Sequence, residues 1–171
     1  MKSNHWIIGA IVIVSIGGLA FAASNGTSAP VAGSQNEIAA PAPDFTLERV
    51  GGGTLTLSEY KDKKPVILDF WATWCPNCRR DIPRQQALYE KYKDQIEVIG
   101  VDLQEEPSIV EKFVSDFGLT YPVVLDPSGE IARKYRVAYT NYHVLIGKDG
   151  DIVGTIPGDI SESDFANLVA L

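Results

Sequence analysis

The sequence predicts an α/β fold, a mixed sheet covered by helices on both faces, and three observations carry that prediction. "KPVILDFW" (Lys64–Trp71) is an unbroken apolar run holding β-branched residues, the pattern of a central strand buried on both sides. From Pro41 onward, strand-like stretches alternate with helix-like ones, which calls for a sheet with crossover helices. Hairpin signals stand at both ends of this region, so the sheet cannot be wholly parallel.

Taken in order, "DFTLERV" and "GTLTLSEY" alternate in polarity on either side of Gly51, Gly52 and Gly53 and read as a hairpin. After the central strand, "RRDIPRQQALYEKYKDQ" spaces Ile82, Leu88, Tyr89 and Tyr92 like a helix, with a kink expected at Pro83. "IEVIGVDL" reads as a strand, and "PSIVEKFVSDFG" as a helix opened by Pro107 and closed by Gly118. "YPVVLD" is a short strand, "DPSG" a turn and "EIARKYR" a short helix. "YHVLIG", the turn "KDGD" and "IVGTIPG" form the second hairpin, and "SESDFANLVAL" is a terminal amphipathic helix begun by Ser161 or Ser163.

The chain ahead of this domain has a different character. From Trp6 to Ala23 it carries no charge, a run slightly short of the roughly 20 residues that span a bilayer. Lys2 precedes the run and the next ionisable residue is Glu37, so the positive-inside tendency places everything after Ala23 outside the cytoplasm, in an oxidising compartment. Residues 1–23 are thus a membrane anchor, or a signal segment if the A-x-A pattern at Ala20, Phe21 and Ala22 is cleaved. Residues 24–40 are small and polar without periodicity, a flexible tether, and 41–171 form one domain. Lipidation is excluded because both cysteines lie far downstream. With 15 basic against 22 acidic residues and a formal charge of -7, the chain has no basic stripe for phosphate backbones, and nucleic acid is not an expected partner.

The chemistry is concentrated in "FWATWCPNCRRDIP", which holds the only two cysteines, Cys75 and Cys78. Cys75 ends the connection after the central strand, and Cys78 lies in the first turn of the next helix. Unpaired N–H groups and the helix dipole favour a thiolate there, with Arg79 and Arg80 adding positive field. Pro76 suits the first helical position. Cys75 is therefore the expected nucleophile. Once it has formed a mixed disulfide with a substrate, Cys78, one turn away, can resolve it. A purely structural disulfide closing so short a loop would constrain little of the unfolded chain. A zinc site wants four ligands, and beyond the N-terminal run the Cys/His donors are these two thiols and His143.

"APDFTL", "VILDFWATWCPNCRRDIP", "IGVDL", "YPVVLD" and "LIGKDG", in that order behind a membrane segment, resemble the TlpA/ResA-like thioredoxin-fold oxidoreductases of the extracytoplasmic space, over essentially all of Pro41 to Leu171. The resemblance implies a thioredoxin-like fold with an N-terminal hairpin and a central insertion within residues 105–126. It implies reduction of disulfides in exported proteins, often apocytochrome c before haem attachment, with electrons from a membrane thiol relay. No cofactor beyond the Cys75–Cys78 disulfide is expected, and the chain is expected to be a monomer. Asp69, in an apolar strand where burial should raise its pKa, matches the buried acid of thioredoxin that assists proton transfer at the second cysteine. Asp81, three residues after Cys78, stands where ResA-like proteins carry an active-site Glu, one methylene shorter; otherwise it is a solvated helix acid. Trp71 reads as core. Trp74, Pro76, Asn77, Thr140 and Asn141 are the expected substrate contacts, and Pro76-Asn77 in place of thioredoxin's Gly-Pro bears on the redox potential.

The chain departs from the family at one place. Alignment on Leu145, Ile146 and "KDG" puts Asn141 where the family has a cis-proline, and Tyr139 to Tyr142 is expected to be a trans, self-satisfied loop. That opens a rival reading, a Sco-like copper protein using Cys75, Cys78 and a histidine. Those proteins use C-x-x-x-C, however, and their loop histidine aligns with Tyr139; His143 reads as a packed or surface residue. A peroxidase would need P-x-x-x-T-x-x-C, and Leu68 and Ala72 hold its proline and threonine positions. A thiol oxidant is the same pair run in reverse, and its potential decides the direction.

Overall fold

The computed structural model describes residues 40–171. The expected membrane segment and nearly all of the tether lie outside the described residues. A six-stranded sheet has the order β1-β8-β7-β4-β5-β6, from β1 (Ala40–Pro41), β4 (Val66–Trp71), β5 (Glu97–Leu103), β6 (Val123–Asp126), β7 (Tyr142–Ile146) and β8 (Asp151–Pro157). Pairing begins at Ala40, opposite Ile152, one residue inside the stretch read as tether. Strand β4 runs parallel to β5 and antiparallel to β7. All six of its residues are buried, which is why its sequence is apolar without alternation.

A separate hairpin, β2 (Thr46–Glu48) and β3 (Thr54–Thr56), turns at the three glycines, whose φ values are all positive. It attaches to the β6 edge through Val50 N–H donating to the Val123 carbonyl at 2.9 Å. The helices are α1 (Pro76–Tyr92), α2 (Pro107–Phe117), α3 (Glu130–Lys134) and α4 (Glu162–Val169). Helix α1 continues through Pro83, which has no N–H to donate to the Arg79 carbonyl. Gly118 ends α2 at φ 63°, as its position after the last apolar residue predicted.

The alternation of β4 divides the core into two layers. Ile67 and Trp71 face Cys75, Cys78 and Ile82 of the α1 region, Val110 and Phe113 of α2, and Phe165 of α4. Leu68 and Phe70 face Phe45 and Leu55 of the hairpin region and Ile131 of α3. Each fully buried side chain of this size stabilises the fold by about 2 kcal/mol. This is the thioredoxin-like architecture, with the central βα unit realised as α2 and β6.

Candidate active site

Strand β4 stops at Trp71, and a turn in which Cys75 N–H donates to the Ala72 carbonyl at 3.1 Å delivers Cys75 to the N-cap of α1. Its Sγ accepts the Cys78 N–H at 3.1 Å, so the sulfur already occupies the place where a thiolate would be stabilised by the helix end. Pro76 takes the first helical position. Cys75 and Cys78 are joined as a disulfide with Cα atoms 5.3 Å apart. Around this buried pair, Trp74, Pro76 and Asn77 are exposed, and Trp74 presents 66 % of its surface, while Trp71 is wholly buried against Phe113.

Thr73 is held at all three of its polar groups. Its N–H and hydroxyl donate to the Glu105 carboxylate, the latter at 2.6 Å, and its carbonyl accepts from Arg79 Nη1 at 3.0 Å. The Arg79 guanidinium also lies 5.2 Å from the ring centres of Phe113 and Phe117. The central insertion is thus fastened to the loop that carries Cys75. Arg80 does not act as a free cation near the sulfur, as its sequence position suggested. Its Nη2 lies 2.9 and 3.0 Å from the two oxygens of Asp159, which offsets its charge.

Beneath the cysteines lies a buried polar cluster. Asp69 points to the same side of β4 as Trp71 and accepts from Gln85 Nε2 at 2.9 Å; His143 Nε2 is 3.3 Å from its other oxygen and 3.0 Å from Gln85 Oε1. Burial pushes the Asp69 carboxyl up, with His143 and Gln85 opposing the shift. His143 is therefore a packed residue engaged by Asp69 and Gln85 rather than one directed at the cysteine pair. Gln85 lies two turns along α1 from Cys78, on the same face. Asp81 is buried: one oxygen accepts the Ile160 N–H at 3.1 Å and the other pairs with Arg84. Of the two readings of Asp81, the solvated helix acid is excluded, because the segment after β8 covers it. Tyr121, also buried, lies close enough to Asp69 and Asp81 to feel both carboxyls.

Asn141 has φ 62° and is buried. Its N–H donates to the Phe70 carbonyl at 2.9 Å, its carbonyl accepts from Gly158 N–H at 2.8 Å, and its Nδ2 donates to Asp159 Oδ1 at 3.0 Å. The expected self-satisfied loop is met only at Asn141, whose amide is committed inward instead of being offered to a substrate, while Tyr139 and Thr140 make no backbone hydrogen bond among the described residues. Half-buried Thr140 and exposed Tyr139 remain at the surface.

Sequence reasoning missed Glu105, Gln85, Tyr121, Asp159 and Asp102. Gln85 was within reach, since seven residues after Cys78 is two helical turns. Glu105 carries no local signal, because a crossover through α1 brings it to Thr73, and Asp159 follows β8 and meets Arg80 only once α1 packs beside that strand's end. Asp102, at the end of β5, is fully buried with both oxygens unpartnered among the described residues; burial and the Glu105 carboxylate push it up to about 8.

The profile of the AhpC/TSA family matches residues 38–155, from the start of the domain into β8. The thiol-disulfide oxidoreductase ResA of Geobacillus kaustophilus is 38% identical over 128 residues, covering 74% of this chain and 73% of that protein. ResA of Bacillus cereus is 33% identical over 161 residues, covering 93% and 91%. Among solved structures, a putative protein disulfide isomerase of Bacteroides thetaiotaomicron superposes with a TM-score of 0.68 at 36% identity, covering 78% of this chain and 86% of that one.

Proposed function

We propose a direction and a compartment for this chain, which belongs to the AhpC/TSA family and is a thiol-disulfide oxidoreductase similar to ResA: outside the cytoplasm, it reduces disulfides of exported proteins. The observation that carries the reading is Cys75 at the N-cap of α1, its sulfur accepting the Cys78 N–H. In the reduced protein the Cys75 thiolate attacks one sulfur of a client disulfide. The client S–S bond breaks, a Cys75–client bond forms, and the departing client sulfur takes a proton. Cys78 then loses its proton and attacks Cys75 Sγ, releasing the second client thiol and leaving Cys75–Cys78 oxidised. Two electrons pass from the pair to the client, and of the two protons the client thiols gain, one derives from Cys78 and the other from solvent, which took up the proton lost when Cys75 ionised.

Asp69 is the acceptor proposed for the Cys78 proton, since burial keeps its carboxyl basic. Trp74, Pro76 and Asn77 form the surface the client touches, completed by the backbone at Tyr139 and Thr140. A membrane thiol relay returns the electrons, and an apocytochrome c awaiting haem is a client of fitting chemistry. The charge-free run ahead of the domain and the similarity to ResA support the extracytoplasmic placement.

Two measurements test this. Cys78→Ser should accumulate a mixed disulfide through Cys75, and Cys75→Ser should abolish turnover. The potential of the pair, equilibrated against glutathione and dithiothreitol, should lie near that of thioredoxin, about −270 mV; a value near the −120 mV or so of strong oxidants would reverse the direction.

A further inference from the structure

Two neighbouring residues of α1 grip two neighbouring residues beyond β8. Arg80 Nη2 donates to both oxygens of the Asp159 carboxylate, and Asp81 accepts the Ile160 N–H at 3.1 Å. Arg80 also reaches back between the cysteines, donating through Nη1 to Asn77 Oδ1 at 2.9 Å. Asp159 Oδ1 accepts in addition from Asn141 Nδ2 at 3.0 Å, and Gly158 N–H is bonded to the Asn141 carbonyl. An unbroken polar chain, Asn77–Arg80–Asp159–Asn141, therefore runs from inside the C-P-N-C segment to the loop preceding β7.

That loop lies beside the cysteine turn for a reason of register. Tyr142 pairs with Phe70 in antiparallel sense, so the chain leading into Tyr142 runs alongside the chain leaving Phe70 toward Cys75. No backbone hydrogen bond of Tyr139 or Thr140 is found among the described residues, so the backbone groups of this bend stay open on the side of the cysteine turn.

We propose that Asp159 is a positioning residue: by binding Arg80 and Asn141 at once, it couples the inter-cysteine segment to the loop before β7, so that the two present a single docking edge to a client peptide. A positive-φ asparagine has no ring to preset its backbone, and the carboxylate sets it instead. An isolated exposed ion pair contributes little, but here one guanidinium bridges Asn77 through Nη1 and Asp159 through Nη2, and the same carboxylate also holds a buried amide, so the pair belongs to a network. The kinetic arm of the test rests on the reductase reading; the spectroscopic arm does not.

The experiment uses the full chain with insulin as the probe disulfide, comparing Asp159→Ala, Arg80→Met and the double variant. KM for insulin is expected to rise about five-fold in each single variant with kcat nearly unchanged, and the double variant to show no more than the larger single effect. Unchanged KM values, or single effects that multiply in the double variant, overturn the coupling. In Arg80→Met, which removes no group touching Asn141, the Asn141 side-chain amide is expected to shift and exchange faster in NMR spectra; an unmoved amide overturns it as well. Arg80 is largely exposed, so this variant tests the proposal even if Asp159→Ala fails to fold. A wild-type chain that leaves insulin disulfides intact would end the reductase reading, and the amide signal would then decide the coupling alone.

Discussion

Substituting Asn141 by proline sets the local backbone against the family pattern. Proline fixes φ near −65°, about 130° from the 62° found at Asn141, so the ring cannot enter the existing path. The substitution also removes the N–H that donates to the Phe70 carbonyl at 2.9 Å, leaving an acceptor of a fully buried residue unpaired at a cost of about 1–3 kcal/mol. Re-routing the loop further breaks the bonds from Gly158 N–H and to Asp159, about 1 kcal/mol each. The expected destabilisation is therefore about 3–5 kcal/mol. Asn141→Gly keeps the positive φ and the N–H and loses only the side-chain bond, so about 1 kcal/mol is expected. Urea unfolding of the three proteins at matched slope, alongside insulin-reduction rates, separates the cases. A proline variant with an unaltered midpoint and faster turnover would refute the argument, since the loop would then tolerate the proline geometry.

Three further outcomes follow from the buried groups. Gly100→Ala places a Cβ 2.8 Å from Trp71 Nε1 and 3.2 Å from the Tyr121 ring, beside β4, so a loss of about 1–3 kcal/mol is expected in the melting midpoint, with altered Trp fluorescence. Asp102 has a folded-state pKa of about 8, above its ordinary value; the stability it contributes is present at low pH and lost as pH rises from about 4 through 8. Asp102→Asn should flatten that decline and raise the urea midpoint at pH 8, and an unchanged pH profile would show that the carboxyl ionises without cost. Asp69 is also shifted upward, so Asp69→Asn should stabilise the fold at alkaline pH while prolonging the mixed disulfide at Cys75; a mixed disulfide as short-lived as in the wild type would remove Asp69 from the proton transfer.

What the sequence alone determined was whatever depends on neighbours along the chain. The unbroken apolar run of β4, the proline-opened and glycine-closed α2, the glycine hairpin and the two thiols at a helix N-terminus all follow from spacing over a few residues, and each stands where that spacing put it. Asp69 was legible for the same reason: a carboxyl in a strand covered on both faces must be buried. Only the tertiary structure decided the groups that surround these. From its own helix Asp81 reads as either an active-site acid or a solvated one, and its burial is decided by the segment at Ile160, 79 residues away. His143 reads from its strand as either packed or surface, and the β4–β7 register sets it opposite Asp69. Glu105 meets Thr73 through the β4–α1–β5 crossover, and Asp159, carried back beside Asn141 by the β7–β8 hairpin, meets Arg80 of a helix that no local pattern places against it. The physical reason is that main-chain preference acts over one or two turns, whereas the environment of a charge is set by whichever distant segment the packing of the sheet brings against it.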